Sequence, residues 1–242
     1  TQMSVYSLDQ VKYLEGIGFK RVVLARELSV DEIEYICKNT NLEIEVFIHG
    51  ALCVSVSGQC LLSSTIGNRS ANRGRCAQPC RMKYSLYNSK GKELISNSYI
   101  LSKKDIFGLE YVNKLKEIGV TSLKIEGRNK NPEYVAGVTK NYRNAINNNI
   151  NSNTKQELMQ LFNRGGISIG YFDGVKYKNS ISLLSPKNTG IFLGKVIDKK
   201  GVYVKLKLEE DIDMHDGFEI YSEDKVISNI VTCIKNDKYV NV

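Results

Sequence analysis

Along the first 146 residues, apolar positions alternate between a helical spacing and short continuous runs. The runs are rich in β-branched residues, which is typical of buried strands. Ser29 with Glu32 three positions later is a capping-box signature, and Pro132 suits the first turn of a helix. The predicted helices cover residues 8–20, 29–40, 108–120, 132–146 and 157–164. The predicted strands cover residues 21–28, 42–50, 98–106 and 122–127.

This alternation predicts βα units around a parallel sheet, and therefore an α/β fold. Polar residues at the strand ends are typical of a (β/α) barrel, which presents its chemistry at the C-terminal ends of its strands. The chain has about four such units, whereas a closed barrel needs about eight. It starts at Thr1 without a Met, and residues 1–4 resemble the tail of an earlier strand. We therefore expect residues 1–165 to form the C-terminal half of a (β/α) TIM-like barrel whose N-terminal half is missing; an open sheet is the alternative.

The hydrophobic period changes to two near residue 188. Residues 191–208 predict a hairpin that turns at Lys200 and Gly201, and short strands separated by turns follow. We expect residues 188–242 to form a small all-β, barrel-like module, with the turn-rich residues 166–187 as a linker.

Four of the six cysteines lie within one loop, residues 50–84: Cys53, Cys60, Cys76 and Cys80. Six residues separate the first pair and three the second, whereas small zinc modules use closer pairs. An iron–sulfur cluster accepts such varied spacing, because a glycine-containing loop can wrap around it. The spacing favours a cluster and leaves zinc or unligated buried thiols as alternatives.

The same stretch concentrates positive charge. No acidic residue follows Glu45 before Tyr84, and the formal net charge of the whole chain is +8. This balance is consistent with a nucleic-acid partner, although a plain basic surface would give the same value. The predicted RNA-binding side chains are Arg69, Arg73, Arg75, Arg81 and Lys83.

The sequence shows neither a membrane segment nor a secretory leader. No apolar run reaches 18 residues, and the N-terminus lacks the basic-then-apolar pattern of a signal peptide. Without such a leader, the cysteines argue against a disulfide framework. We expect a cytoplasmic protein with no membrane partner.

Three stretches of the chain carry a specific resemblance. They read EVFIHGALCVSVSGQC, LLSSTIGNRSANRGRCAQPCRMKY and LKIEGRNKNPEYV, and the initial TQMSV agrees with them. Together they resemble the U32 family, long labelled collagenase-like peptidases, over residues 1 to about 185. The segment from Gly58 to Cys80 is most similar to the branch that hydroxylates a base in ribosomal RNA, with a tRNA-hydroxylating branch close to it.

The resemblance implies a cofactor and a co-substrate. It implies a [4Fe–4S] cluster, although the fourth ligand can come from elsewhere in the wider family, and it implies that prephenate is required. The implied ligands are Cys53, Cys60, Cys76 and Cys80.

Candidate catalytic residues follow two predicted strands. Glu126 and Arg128 lie where a barrel strand presents its catalytic groups. Arg128 could bind a carboxylate or phosphate, and Glu126 could orient it or act as a base; an ion pair closing the barrel is the alternative. His49 precedes the cysteines and is either a catalytic base or a packing residue. Weaker candidates for the same pocket are Arg26, Glu27, Lys103, Lys104 and Asp105.

Three functions remain open at this point. A peptidase needs a nucleophile with a base within hydrogen-bond reach, and the chain has only His49 and His215 and no HExxH zinc motif. An RNA-base hydroxylase accounts for both the cysteines and the basic loop, since a cluster gives access to the electrons that such a reaction requires. We expect a U32 RNA-base hydroxylase acting on ribosomal or transfer RNA. A collagenase-like peptidase and a non-catalytic RNA-binding module are the alternatives.

Overall fold

The computed structural model describes residues 2–174, 180–183, 185–222, 226–235 and 239–241. It forms two compact units, Thr1–Gly190 and Ile191–Val242. Across these ranges, no helix combines the length and the apolar character needed to cross a membrane.

The first unit contains both helices and strands, which confirms the α/β prediction. Its helices are α1 Leu8–Gly16, α2 Val30–Lys38, α3 Leu62–Gly67, α4 Val112–Glu117, α5 Pro132–Ile146 and α6 Thr154–Leu161. Its strands are β1 Arg21–Val23, β2 Glu43–Gly50, β3 Tyr84–Tyr87, β4 Glu93–Ser98, β5 Asp105–Phe107, β6 Ser122–Ile125 and β7 Ile167–Ser168.

Side-chain caps fix where the helices begin. The hydroxyl of Ser29 accepts the backbone N–H of Glu32 at 3.3 Å, and the Glu32 carboxylate accepts the N–H of Ser29 at 2.8 Å, so the predicted capping box of α2 is confirmed. The side chain of Asn131, one residue before Pro132, caps α5 by accepting the backbone N–H of Tyr134 at 3.0 Å. These caps orient the helices so that apolar residues such as Ile33 are fully buried in the core.

The central strand of the sheet is β2. It pairs in parallel with β1 and with β6, but β5 runs antiparallel to it, with Ile106 opposite Gly50. The strand β7 is parallel to β5, within what was predicted to be a linker. The prediction of an all-parallel sheet is therefore wrong at β5.

The reversal has a local cause. Residues 98–106 were predicted as one strand, yet Ser98 ends β4, which forms an antiparallel ribbon with β3, and Asp105 begins β5. The chain thus returns to the sheet at the end of β2 that it left, and an antiparallel strand needs no crossover helix to do so. As a result, polar residues that precede β5 and β7 lie at the same edge as those that follow β1, β2 and β6. The sheet of the described residues is open, so closure of a barrel stays a prediction.

The second unit consists of strands and turns in its described residues. The strands β8 Gly194–Lys200 and β9 Tyr203–Leu208 form the predicted hairpin around Lys200 and Gly201. The other strands are β10 Gly217–Tyr221, β11 Val226–Ile230, β12 Ile234–Lys235 and β13 Tyr239–Asn241. The first sheet has the order β12-β13-β9-β8, and β10 pairs with β11 separately. Val204, Leu206 and Val231 form the core of this unit.

Gly50 is a position where a side chain would disturb the sheet of the first unit directly. Its φ is +111°, and a Cβ there would lie 2.5 Å from the backbone oxygen of Glu126. We expect Gly50→Ala to destabilise the protein by about 1 kcal/mol or more beyond the backbone penalty alone. Gly119→Ala is the matched control, since Gly119 has a φ of +93° but its nearest neighbour would be Cys37 Cβ at 3.9 Å. Urea titrations measure the free energy of unfolding of both variants. An equal loss in Gly50→Ala and Gly119→Ala would contradict the close approach at Gly50.

Candidate metal centre and nucleic-acid interface

A long loop, residues 51–83, follows β2 and carries the four clustered cysteines. Hydrogen bonds attach it to the unit and to itself. Glu27 accepts the N–H of Ser57 at 2.9 Å, and the side-chain amide of Asn72 donates to the carbonyl of Gly58 at 2.7 Å. The loop is therefore a folded element with internal supports, able to present side chains in fixed positions.

Arg81 joins the two ends of this loop. Its guanidinium donates to the carbonyl of Leu52 at 3.0 Å, to the hydroxyl of Ser102 at 2.9 Å and to the carbonyl of Lys103. Burial, together with the positive charge of Arg164, lowers the pKa of Arg81 to about 10. The structure thus turns this predicted RNA-binding residue toward the protein, where it holds the residue before Cys53 near the end of the loop.

The four loop cysteines are half-buried free thiols. Burial raises the pKa of Cys53 and of Cys80, and in each case the neighbouring loop thiols raise it further. Cys53, Cys60, Cys76 and Cys80 therefore lie close enough to influence one another electrostatically. Among the described residues, however, no group of three or more His, Cys, Asp or Glu side chains is arranged to hold a metal ion.

The other predicted RNA-binding side chains, Arg69, Arg73, Arg75 and Lys83, are exposed. Within the loop, Nε of Arg69 donates to the carbonyl of Arg75 at 2.9 Å. Arg128, predicted as catalytic, lies against Gly74, where an added Cβ would be 3.1 Å from its Nη1. The structure therefore brings Arg128 to the basic loop, although it is distant in sequence.

Glu126, the second predicted catalytic residue, pairs with Arg26 rather than with Arg128. A carboxylate oxygen of Glu126 lies 3.1 Å from Nη2 of Arg26, whose guanidinium carbon stands 3.7 Å from the centre of the Phe47 ring. Burial lowers the pKa of Arg26, and the carboxylates of Glu126 and Glu27 oppose this effect. Arg26 was a weaker sequence candidate, and the structure gives it the contact that holds Glu126.

His49, the third predicted catalytic residue, is packed inside the protein. It is 2% exposed, its Nδ1 is 3.1 Å from the hydroxyl of Tyr142, and the rings of Phe107 and Tyr134 also contact it. Desolvation, with a smaller effect of Lys130, lowers its pKa to about 3. The imidazole is therefore neutral at pH 7, and its surroundings are those of a packing residue.

A second group of charges lies around the start of β5, just before β7 in the chain. Asp105 stands 3.5 Å from Nε of Arg164 and 3.7 Å from Nζ of Lys130. Sequence reasoning included Asp105 as a weak candidate but missed Lys130 and Arg164. The signals were present, since Lys130 follows the KIEGR motif and Arg164 begins a glycine-rich turn, but neither residue follows a predicted strand directly.

The sequence comparison with known families covers the part of the chain that builds this site. The sequence model of Peptidase family U32 matches residues 1–182, three quarters of the chain and all of the elements described at the strand ends. The chain belongs to Peptidase family U32.

Relatives of this U32 chain carry names of two kinds. It is 34% identical over 241 residues to the 23S rRNA 5-hydroxycytidine C2501 synthase of Escherichia coli, with 94% of this chain and 37% of the relative covered. It is 41% identical over 152 residues to tRNA hydroxylation protein P1 of Bacillus subtilis, covering 60% of this chain and 36% of the relative. A collagenase of Porphyromonas gingivalis is 39% identical over 186 residues, covering 68% and 45%.

The U32 chain spans between about a third and a half of the length of these relatives. No solved structure matches it significantly. The family is therefore established by sequence, whereas the activity of the whole protein is a matter for proposal.

The buried histidine predicts a pH dependence of stability. Its pKa is lower in the folded state (about 3) than in the unfolded state (6.5), so the unfolded state binds more protons between these values and stability falls as the pH falls. From pH 7 to pH 5, we expect His49 to account for a loss of about 2 kcal/mol in the free energy of unfolding. Denaturant titrations at both pH values should show a smaller loss for His49→Gln. His215→Gln, which changes the exposed histidine of the second unit, should keep the full loss. Identical acid sensitivity of the two variants would contradict this assignment.

Proposed function

We propose that this chain is part of a U32 enzyme that hydroxylates a base in ribosomal or transfer RNA. The observation that carries the proposal is the combination, in the loop that follows β2, of four half-buried free thiols and exposed arginines. The named activity of the Escherichia coli relative, which matches nearly the whole chain, supports ribosomal RNA as the first substrate to test.

The thiols would hold a [4Fe–4S] cluster, with Cys53, Cys60, Cys76 and Cys80 as ligands. The donor set fits such a group chemically, because one loop supplies four half-buried thiols and residues 51–83 contain no carboxylate. The nearby guanidiniums of Arg26 and Arg81 would balance thiolate charge. A bound cluster would give the site a group capable of electron transfer. Zinc is the alternative metal, and four thiolate ligands would leave it no open position for a catalytic water.

The exposed arginines would bind the RNA backbone. Arg69, Arg73 and Arg75 can reach phosphates of a polymer, and Arg128 extends the same surface. Tyr87, which is 56% exposed on the β3–β4 ribbon, could stack on an unpaired base. Arg81 would not bind the RNA backbone in this proposal, since its hydrogen bonds hold the loop from inside.

The remaining parts of the proposal concern the pocket. Glu126, held by Arg26, would face the reacting base as a proton acceptor or orienting group. Prephenate would serve as co-substrate, and the first unit would complete a TIM-like barrel together with other parts of the protein. A protein that acts on these RNAs would work in the cytoplasm.

A peptidase is the second candidate because the Porphyromonas gingivalis relative is named a collagenase. The described geometry gives it less support. A thiol or hydroxyl nucleophile needs a base within hydrogen-bond reach, and His49 is buried against Tyr142 with a lowered pKa.

Deleting the gene and comparing the nucleosides of ribosomal and transfer RNA by mass spectrometry tests the proposal. We expect one hydroxylated nucleoside to disappear and to return when the intact gene is restored. Unchanged RNA nucleosides together with the loss of a peptide cleavage product would favour the peptidase. Unchanged nucleosides with RNA binding intact would favour a non-catalytic RNA-binding module.

Metal content separates the cluster from the alternatives. We expect Cys60→Ser to abolish iron and sulfide uptake during anaerobic reconstitution, because the cluster would lose one of its four thiolates. Cys37→Ser is the matched control, since Cys37 packs against the apolar core at the end of α2. Uptake of zinc alone by the wild-type protein, or normal iron uptake by Cys60→Ser, would contradict the ligand assignment.

RNA binding should respond to the exposed arginines. Replacing Arg73 and Arg75 together with Gln should weaken binding of RNA and reduce the slope of log affinity against log salt by about 1.4, since each phosphate that is no longer neutralised accounts for about 0.7. Filter binding at several salt concentrations measures both quantities. Arg143→Gln, which removes an exposed arginine of α5, should leave the slope unchanged. An unchanged slope in the double variant would place the RNA elsewhere.

A further inference from the structure

The charged group around Asp105, at the start of β5, contains more buried cations than its carboxylate can satisfy. The side chains of Asp105 and Arg164 are only 9% and 7% exposed, and that of Lys130 is 13% exposed. Such a concentration of buried charge is costly unless opposite charges and hydrogen bonds compensate it.

The hydrogen bonds in this group are incomplete. Nε and Nη1 of Arg164 and both carboxylate oxygens of Asp105 are buried without a hydrogen-bond partner among the described residues. The ion-pair distances of 3.5 Å and 3.7 Å exceed hydrogen-bond length, so Asp105 attracts its neighbours without saturating them. A buried unsatisfied group is costly, and more so when charged, which is why such groups concentrate at functional sites.

The loop adds a further cation to this group. Arg81 borders it, and its guanidinium is hydrogen-bonded to the carbonyl of Leu52 and to the hydroxyl of Ser102. Lys130 and Arg164 share Asp105, so these three side chains carry one positive charge in excess. In agreement, desolvation and the charges of Arg164 and Arg81 lower the pKa of Lys130 to about 8 despite the attraction of Asp105.

We propose that Arg164 and Lys130 form a binding site for the carboxylate of a small organic acid. A carboxylate brings the one missing negative charge and presents two oxygens to the fork of a guanidinium. Nζ of Lys130 lies over the rings of Phe162 and Tyr134, and the Arg164 guanidinium is 5.2 Å from the centre of the Phe162 ring, so apolar faces adjoin the cations. These faces suit the carbon body of an organic acid better than inorganic phosphate.

The burial of the site also limits the size of the ligand. Arg164 is only 6% exposed, so a phosphate within an RNA backbone cannot reach its guanidinium. Arg73 and Arg75, in contrast, are exposed. The site therefore differs from the RNA surface. The site depends on the proposed function in one respect, because its ligand would be the acid co-substrate of the hydroxylation. Binding of the ligand itself is measured without RNA.

Calorimetric titration of the protein with benzoate tests the site, with benzamide as the neutral analogue and inorganic phosphate as the competing anion. We expect benzoate to bind, benzamide not to bind, and phosphate to bind more weakly than benzoate. Arg164→Gln should weaken benzoate binding roughly tenfold or more, because it removes a charged hydrogen-bond donor. Arg143→Gln should bind as the wild type does. Equal binding of benzamide, preferential binding of phosphate, or undiminished binding by a folded Arg164→Gln would overturn the proposal.

A second measurement uses the wild-type protein and so does not depend on the folding of a variant. An amine-acetylating reagent at pH 8 should modify Lys130, and benzoate should protect this residue while leaving the exposed Lys155 unprotected in the same digest. Protection by benzamide, or none by benzoate, would overturn the site even if the RNA nucleosides confirmed the hydroxylase. Loss of the hydroxylase proposal would in turn leave a positive binding result intact.

Discussion

The arrangement of the strand ends depends on the close approach of two backbones, at Gly50 and Glu126. The N–H of Glu126 donates to the carbonyl of His49 at 2.8 Å, and the positive φ of Gly50 lets the chain turn away into the cysteine loop immediately afterwards. Opposite the same glycine, Ile106 of β5 joins the sheet. One residue without a side chain thus allows β2, β5 and β6 to meet where the polar groups are needed.

The meeting of β2, β5 and β6 explains why polar residues that begin or precede some strands share one edge of the sheet with polar residues that follow others. Glu126 follows β6, whereas Asp105 begins β5 and Arg164 precedes β7. In an all-parallel sheet, residues that precede a strand lie on the far side from those that follow one. The antiparallel direction of β5 and β7 relative to β2 removes that separation, and it brings Asp105 and Arg164 to the edge that the cysteine loop leaves.

Local patterns in the sequence were sufficient to predict elements whose caps and apolar spacing lie within one segment. Helix α5 begins at the predicted Pro132 and ends at the predicted Ile146, because its cap and its apolar spacing both lie within the segment. The direction of β5 has no such signal, since an apolar run has the same composition whichever way it enters a sheet. It is decided by pairing with β2, far earlier in the chain, after the intervening β3–β4 ribbon has taken the residues predicted to start the strand.

The arginines of the loop show the same limit for the site. Arg75 and Arg81 belong to one basic stretch, and sequence reasoning gave both the same role. Arg81 is half-buried and turned inward because its guanidinium finds acceptors at Leu52 and Ser102, outside that stretch, within 3.0 Å. The cysteines were easier to recognise, as their number and spacing already favour a shared ligand. No local pattern connects Lys130 with Arg164, whose common neighbour Asp105 becomes apparent only in the fold.

Burial therefore divides the cations of this edge into two classes with different partners. An exposed guanidinium can reach a polymer phosphate, and its contribution is screened by salt because water surrounds it. A buried guanidinium such as Arg164 cannot reach a polymer, but the low dielectric around it makes a single small anion a strong partner. In the proposed enzyme, RNA and an organic acid would thus bind to separate cations. The arginines that would bind RNA belong to the loop that Arg81 holds in shape, whereas Arg164 lies before β7. Binding of the polymer therefore need not neutralise the charge that the small ligand requires.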